Sequence, residues 1–286
     1  MRHCLRLQVG PVGFRIGSEW RGPVDQLARL YAGYPEPDGL CDFTVRLEAE
    51  RFWRRWLRPS VAIRGDYVLP DAAPLPLALG LLAAEMGMNL QMALGQKRFL
   101  LLHAAGVEKD GRALVMTGHS GAGKSTLAAL LGERGWRFMG DEFALLDLDE
   151  GRLHPFPRAV SLKNESLGLF DGVEPGRLGP VLAGTPKGTI RHLRPNAEAV
   201  ARMDEPARPV MILFPRFGRE LEPAVREVGA AEAFMRLTQA STNYVALGER
   251  GFDALTRLVG ALPSRAIDYA DTAQAEALVD GLWRGG

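Results

Sequence analysis

Between Leu114 and Trp136 the chain reads LVMTGHSGAGKSTLAALLGERGW. An apolar strand runs into a glycine-rich turn and leaves it as a helix with an apolar stripe at Leu127, Leu130 and Leu131. Gly118, Gly123, Lys124 and Ser125 satisfy the pattern G-x-x-x-x-G-K-[ST] in the strand-to-helix setting it requires. Glycines let the backbone curl until several N–H groups point inward, and a helix starting near Lys124 adds its positive end. Phosphate oxygens fill such a nest, so the expected ligand is a nucleoside triphosphate, taken as ATP. The cradle comprises Gly118, His119, Ser120, Gly121, Ala122 and Gly123, followed by Lys124, Ser125 and Thr126 in the first turn of the helix. Lys124 is expected to reach the β- and γ-phosphates, and the Ser125 hydroxyl to ligate the Mg2+ that bridges them.

Such a loop also needs a carboxylate on a neighbouring strand to hold the metal or activate a nucleophile. Asp141 and Glu142 end the stretch WRFMGDE, and the interval from Lys124 leaves room for one helix, a turn and a strand. If both face the γ-phosphate, one ligates the metal and one takes the proton of an attacking hydroxyl. His103, ending FLLLH, precedes the strand pair that feeds the loop and is placed to orient the acidic pair. No long switch segment separates loop from carboxylates, which argues against a nucleotide-responsive binding protein without catalysis.

Composition narrows the setting. The 286 residues carry 35 basic and 34 acidic side chains, so there is no global attraction to nucleic acid or to acidic membranes. Two cysteines, Cys4 and Cys41, are too few for a disulfide framework or a zinc site and fit a reducing compartment. Arginines and a histidine interrupt the first residues, unlike a signal peptide. The long apolar run Ala72 to Leu94 contains Pro74, Pro76, Glu85, Asn89 and Gln91 and reads as a core helix. The expected location is the cytoplasm, with neither membrane nor nucleic acid as partner.

Along the chain, CLRLQVGPVGFRIGS reads as a hairpin, VDQLARLYAGY as a helix, and CDFTVRLEAE and VAIRGDYVL as strands. Residues 1–75 are therefore expected to form a small α+β module, and 76–286 an α/β domain with a mixed sheet flanked by helices. A helix is predicted from Pro74 to about Gln96, then two strands joined through Asp110-Gly111, the loop helix, and a second hairpin around Glu150-Gly151. Residues 158–209 read as loops with short strands, PVMILFP as a buried strand, and SRAIDYA as a last edge strand between helices. RFWRRWLRP, Arg51 to Pro59, is the one basic-aromatic cluster; an edge strand with packed tryptophans is the expected form, and a docking surface the alternative.

His103, the glycine loop and ERGWRFMGDE together resemble, in order and spacing, the HPr kinase/phosphorylase family, whose catalytic domain is similar in fold to phosphoenolpyruvate carboxykinase. LYAGYP, RRWLRP, LLHAAGVEKDGRA, SLKN, LFPRF, RLTQASTNY and LGERGFDAL extend the resemblance over almost the whole chain to the branch called HprK-related kinase A. The resemblance implies a P-loop kinase domain in which Asp141 is the base for a substrate hydroxyl, supported by Glu142. It also implies a homo-oligomer, since the parent family forms hexamers. In the parent family two aspartates stand where Asp141 and Glu142 do, and the glycine-containing signature of phosphorolysis is replaced here by PRAVSLKNESLG. A kinase without the reverse reaction is the resulting expectation.

Phosphoryl transfer rewards cations around the migrating group, and Arg158, Lys163, Asn164, Lys187 and Arg191 are candidates for substrate contacts. The expected activity is transfer of the ATP γ-phosphate to a hydroxyl, that of a serine in a protein or peptide. A small-molecule acceptor, such as a sugar or amino-acid derivative, satisfies the same residues.

Overall fold

The computed structural model describes residues 1–185 and 187–285. The chain opens with β1 (His3–Val9), β2 (Val12–Ser18), α1 (Arg21–Leu30), β3 (Phe43–Ala49), β4 (Ser60–Gly65), β5 (Leu75–Pro76) and α2 (Gly80–Gly95). Then come β6 (Phe99–Leu102), β7 (Ala104–Lys109), β8 (Arg112–Thr117), α3 (Lys124–Glu133), β9 (Arg137–Gly140), β10 (Ala144–Asp147) and β11 (Leu153–His154). The middle holds β12 (Val160–Lys163), β13 (Leu178–Thr185), β14 (Gly188–Leu193) and α4 (Ala197–Ala201). The chain closes with β15 (Arg208–Phe217), β16 (Ala224–Val228), α5 (Ala230–Ala240), α6 (Tyr244–Leu247), α7 (Glu249–Ala261), β17 (Ser264–Tyr269) and α8 (Thr272–Gly285). The architecture is mixed α/β. It divides into two compact units: Met1–Gln96 with Ala159–Val200, and Lys97–Arg158 with Ala201–Gly286.

In the first unit a sheet of order β1-β2-β3-β4-β5 has one apolar face, on which Phe14, Ile16, Val45, Leu47 and Val61 are buried. Helix α2 covers it by packing on β3 and β4, and α1 packs on α2. Gly87 and Gly80 make the close approach feasible: a β-carbon at Gly87 would overlap Val45, and one at Gly80 would overlap Pro23. Buried on nearly all sides, α2 has the composition of a core helix. With the turn before it, Leu77–Gly95 is the one helix among the described residues long and apolar enough to cross a membrane by length and composition, and it is 61% buried within the protein. A second sheet, β12-β14-β13, packs Leu182 and Ile190 against Leu79 and Leu82.

These contacts explain why the observed division does not fall at 75/76. The apolar surface of α2 is satisfied by β3 and β4, and residues 159–200 return to the same helix. The helix itself starts at Gly80, because Leu75–Pro76 is spent as strand β5 and Leu77–Leu79 as a 3-10 turn. The short strands expected among the loops of residues 158–209 thus join into one three-stranded sheet. Arg51 to Pro59 is no strand either: Phe52–Arg55 is a 3-10 turn with its tryptophans turned to solvent.

The second unit is built on a sheet of order β16-β17-β15-β8-β7-β9. Strands β8, β15 and β17 run parallel, while β7 is antiparallel to both β8 and β9. SRAIDYA is therefore an inner strand, with β16 paired outside it. Helix α3 packs on β7 and β9, and α8 on β17 and α3. A separate core joins Val115, Ile212 and Phe214 to Leu237 of α5, Leu255 of α7 and Leu146 of the small sheet β11-β10-β6.

The run expected as one strand from Phe99 is broken at His103: β6 pairs with β10, whereas β7 pairs with β8 and β9. The His103 N–H leaves both ladders and donates to Ala240 O at 2.7 Å. Behind the β7–β8 hairpin lies a buried ion pair, Glu108 Oε2 to Arg137 Nε at 2.5 Å, both side chains 2% exposed. Glu108 Oε1 accepts the Gly111 N–H at 2.6 Å, and Arg137 Nη1 donates to Arg202 O and Glu205 O at 2.6 and 2.9 Å. The turn, β9 and the approach to β15 are thereby tied together.

Candidate active site

Strand β8 delivers the chain to the glycine loop, and α3 begins at Lys124. Three loop glycines lie at positive φ: Gly118 at 155°, Gly121 at 84° and Gly123 at 90°. At Gly123 the requirement is double, because a β-carbon there would overlap the Tyr269 hydroxyl besides adopting left-handed backbone. Tyr269 ends β17 and Phe217 ends β15; their rings lie 5.9 Å apart and form the floor of the loop. The Tyr269 hydroxyl stands 3.5 Å from Ala122 O, and burial pushes its phenol well up from the ordinary value. It therefore remains a donor.

Lys124 is 6% exposed, and its ammonium donates to Gly118 O at 2.7 Å and His119 O at 3.1 Å. The lysine thus sits across the loop, with its charge solvated by the carbonyls of the turn. His119, Ser120 and Gly121 form the exposed tip, and Ser125 and Thr126 are half-buried in the first turn of α3. Any anion entering this loop meets a helix N-terminus, a buried ammonium and two hydroxyls.

Asp141 follows the last residue of β9 and is 5% exposed. The register sets its place: Thr117 faces Ala104 across β7–β8, and Gly140 faces Gly106 across β7–β9. The carboxyl ends of β8 and β9 consequently lie on one edge, about 10 Å apart at two strand spacings. The acidic pair is on the next strand in sequence but not on the neighbouring strand of the sheet, since β7 runs between. Gly140, at φ 152°, is pressed between carbonyls, a β-carbon there lying 2.9 Å from Phe156 O and 3.2 Å from Phe143 O. Phe156 N donates to Met139 O at 2.6 Å, so the segment bearing Arg158 clasps the strand end that carries Asp141. Arg158 is 4% exposed.

His103 lies at the same edge, its carbonyl accepting from Thr117 Oγ1 at 3.2 Å. Its Nδ1 is 3.2 Å from Glu142 O and 3.6 Å from Glu142 Oε1. A carbonyl only accepts, so this contact places a proton on Nδ1, and the neutral ring then carries its lone pair on Nε2. The loop, Asp141, Glu142, His103 and Arg158 all belong to the second unit.

Lys163, Asn164, Lys187 and Arg191 belong to the first unit. There Asn164, at φ 48°, accepts the Thr189 N–H at 3.2 Å, and Arg191 Nε donates to Gly179 O at 2.9 Å. Lys163 N donates to Ser166 Oγ at 2.9 Å, and Lys187 N to Thr185 Oγ1 at 3.2 Å. Tyr269 and Phe217 escaped sequence reasoning. Each ends a recognisable strand, but only the strand order brings them to the loop. Among the described residues no group of three or more His, Cys, Asp or Glu forms a ready-made metal cage. A cation here would need ligand oxygens beyond the acidic pair and Ser125.

A family described as "SynChlorMet cassette protein ScmC" matches residues 81–208, less than half of the chain but including the loop and the acidic pair. No curated protein matches. Among solved structures, the Hpr(Ser) kinase/phosphatase from Coxiella burnetii is similar at 13% identity and a TM-score of 0.29, covering 65% of this chain and 94% of that one.

Proposed function

We propose that the protein is a P-loop kinase of the HPr kinase type that transfers the γ-phosphate of ATP to a hydroxyl, that of a serine in a protein or peptide. One observation carries the reading: the glycine loop with its buried Lys124 and the buried carboxylate of Asp141 share the carboxyl edge of one sheet. Ligands of open α/β sheets bind at that edge.

In this reading the loop N–H groups and Lys124 hold the β- and γ-phosphates, Lys124 exchanging its two carbonyl contacts for phosphate oxygens. Ser125 and Glu142 would hold Mg2+, which would supply neutralisation of the charge that develops on the transferred group. Asp141 takes the acceptor's proton as the hydroxyl oxygen bonds to phosphorus and the bridging oxygen departs with ADP. His103 restrains Glu142 through its backbone and side chain. Two free cysteines suit a reducing cytoplasm.

The test is incubation with γ-labelled ATP and magnesium in extract from the source organism, using wild type, Lys124→Ala and Asp141→Asn. A labelled protein or peptide band that appears with wild type alone supports the reading. Label confined to small molecules would reassign the acceptor. Nucleotide binding with no transfer by wild type would sink the kinase assignment.

A further inference from the structure

The 3-10 turn after β3 raises an apolar and basic knob from the first unit. Phe52 is 79% exposed, Trp53 51%, Trp56 64% and Leu57 67%. The knob is ordered: Arg54 N donates to Arg51 O at 2.8 Å, Leu57 N to Trp53 O at 3.0 Å, and Trp20 Nε1 to Arg55 O at 3.1 Å. Residues three apart in a 3-10 turn share a face, which places Trp53 beside Trp56. The Phe52 ring meets Trp56 edge-on at 5.1 Å. Arg51 and Arg55 stand over Trp53 and Trp56, 5.5 and 5.6 Å from the ring centroids, and Arg54 and Arg58 complete the basic set. From Arg51 to Pro59 there is no acidic side chain; Glu19 lies 4.0 Å from Arg55 Nη1.

Large aromatic side chains held out in water mark a contact surface. A second copy meeting the knob two-fold would set four arginines against four, which opposes it. Peptide anchors sit in concave sites, whereas these side chains protrude with more than half of their surface in water. Long polyanions are gripped by cations spread along a groove, whereas the four arginines here are gathered on one short turn. A bilayer with anionic headgroups suits both halves of the knob: Trp and Phe settle at the headgroup level with Leu below, and guanidinium groups meet lipid phosphates.

We propose that the Phe52–Leu57 knob docks the protein reversibly on anionic lipid bilayers. This departs from the sequence expectation of no membrane partner, which rested on the near-even charge balance and on reading Ala72 to Leu94 as a core helix. It is independent of the kinase reading.

The test is cosedimentation of the full chain with vesicles of phosphatidylcholine alone and of equal parts phosphatidylcholine and phosphatidylglycerol. Wild type should pellet with the anionic vesicles and not with the neutral ones. Trp53→Ala/Trp56→Ala and Arg54→Glu/Arg58→Glu should each weaken this by about tenfold or more. Both pairs are surface changes, so unaltered far-ultraviolet circular dichroism is expected and separates lost docking from lost folding. Folded variants that pellet like wild type, or wild type that ignores both vesicles, would overturn the proposal. So would tighter binding to polyglutamate or a single-stranded oligonucleotide than to vesicles, or self-association abolished by the tryptophan pair.

Discussion

Gly123 and Tyr269 meet at the floor of the glycine loop with no room for a methyl group between them. Replacing Gly123 by Ala costs about 1–2 kcal/mol for left-handed backbone at φ 90°, and the overlap with the tyrosine hydroxyl adds to it. The two parts are separable. Tyr269→Phe removes the hydroxyl, so Gly123→Ala/Tyr269→Phe should regain the overlap part and retain the backbone part. Urea midpoints of the four proteins in this double-mutant cycle measure it; strict additivity would show that the hydroxyl does not bear on Gly123.

Lys124 holds two loop carbonyls, at 2.7 and 3.1 Å, which under the proposed function it trades for phosphate oxygens. Charge-assisted hydrogen bonds are worth about 1.5–3 kcal/mol each, so Lys124→Ala should weaken magnesium-ATP binding by roughly tenfold to a hundredfold. Titration calorimetry with ATP and with inorganic triphosphate should show parallel losses, because the lysine addresses phosphate rather than the base. Equal affinity of wild type and variant for both would remove the phosphate role.

Asp141 and His103 differ in what they are asked to do. Asp141→Asn keeps volume and removes the base, so labelled transfer should fall by about 10²–10⁴ while ATP affinity stays within about twofold. His103→Ala loosens Glu142 without touching the proton transfer, and a smaller loss is expected. If Asp141→Asn loses ATP affinity as severely as transfer, the carboxylate holds metal and nucleotide rather than the proton.

The glycine loop, its flanking strand and helix and the acidic pair were legible because each depends on local chemistry: turn glycines, apolar periodicity and spacing. Hairpins at Gly10-Pro11, Asp110-Gly111 and Glu150-Gly151 were legible for the same reason. What failed was non-local. The break at His103 is decided by which sheet each half of an evenly apolar run joins. Insertion of β7 between β8 and β9, and of β17 inside β16, are matters of strand order that no residue states. The exposed knob was misread because Arg and Trp alternation looks alike in a packed edge strand and in a solvent-facing 3-10 turn.

Glu108 and Arg137 make stability depend on pH in a definite direction. Burial alone pushes the Glu108 carboxyl up, but the Gly111 N–H and the Arg137 and Arg202 guanidinium groups outweigh it and hold the group below its ordinary value of 4.5. A carboxylate lowered on folding contributes stability that is present in full above the unfolded value and drains away as pH falls through the folded one. Breaking one side of a buried pair leaves the other charge unpaired, so Glu108→Gln should cost about 3–5 kcal/mol at neutral pH. Urea midpoints of wild type and variant between pH 7 and pH 3 check both statements. The gap should be constant above about pH 5 and narrow steadily below it; a gap that does not change with pH would mean that shape, not charge, is what Glu108 supplies.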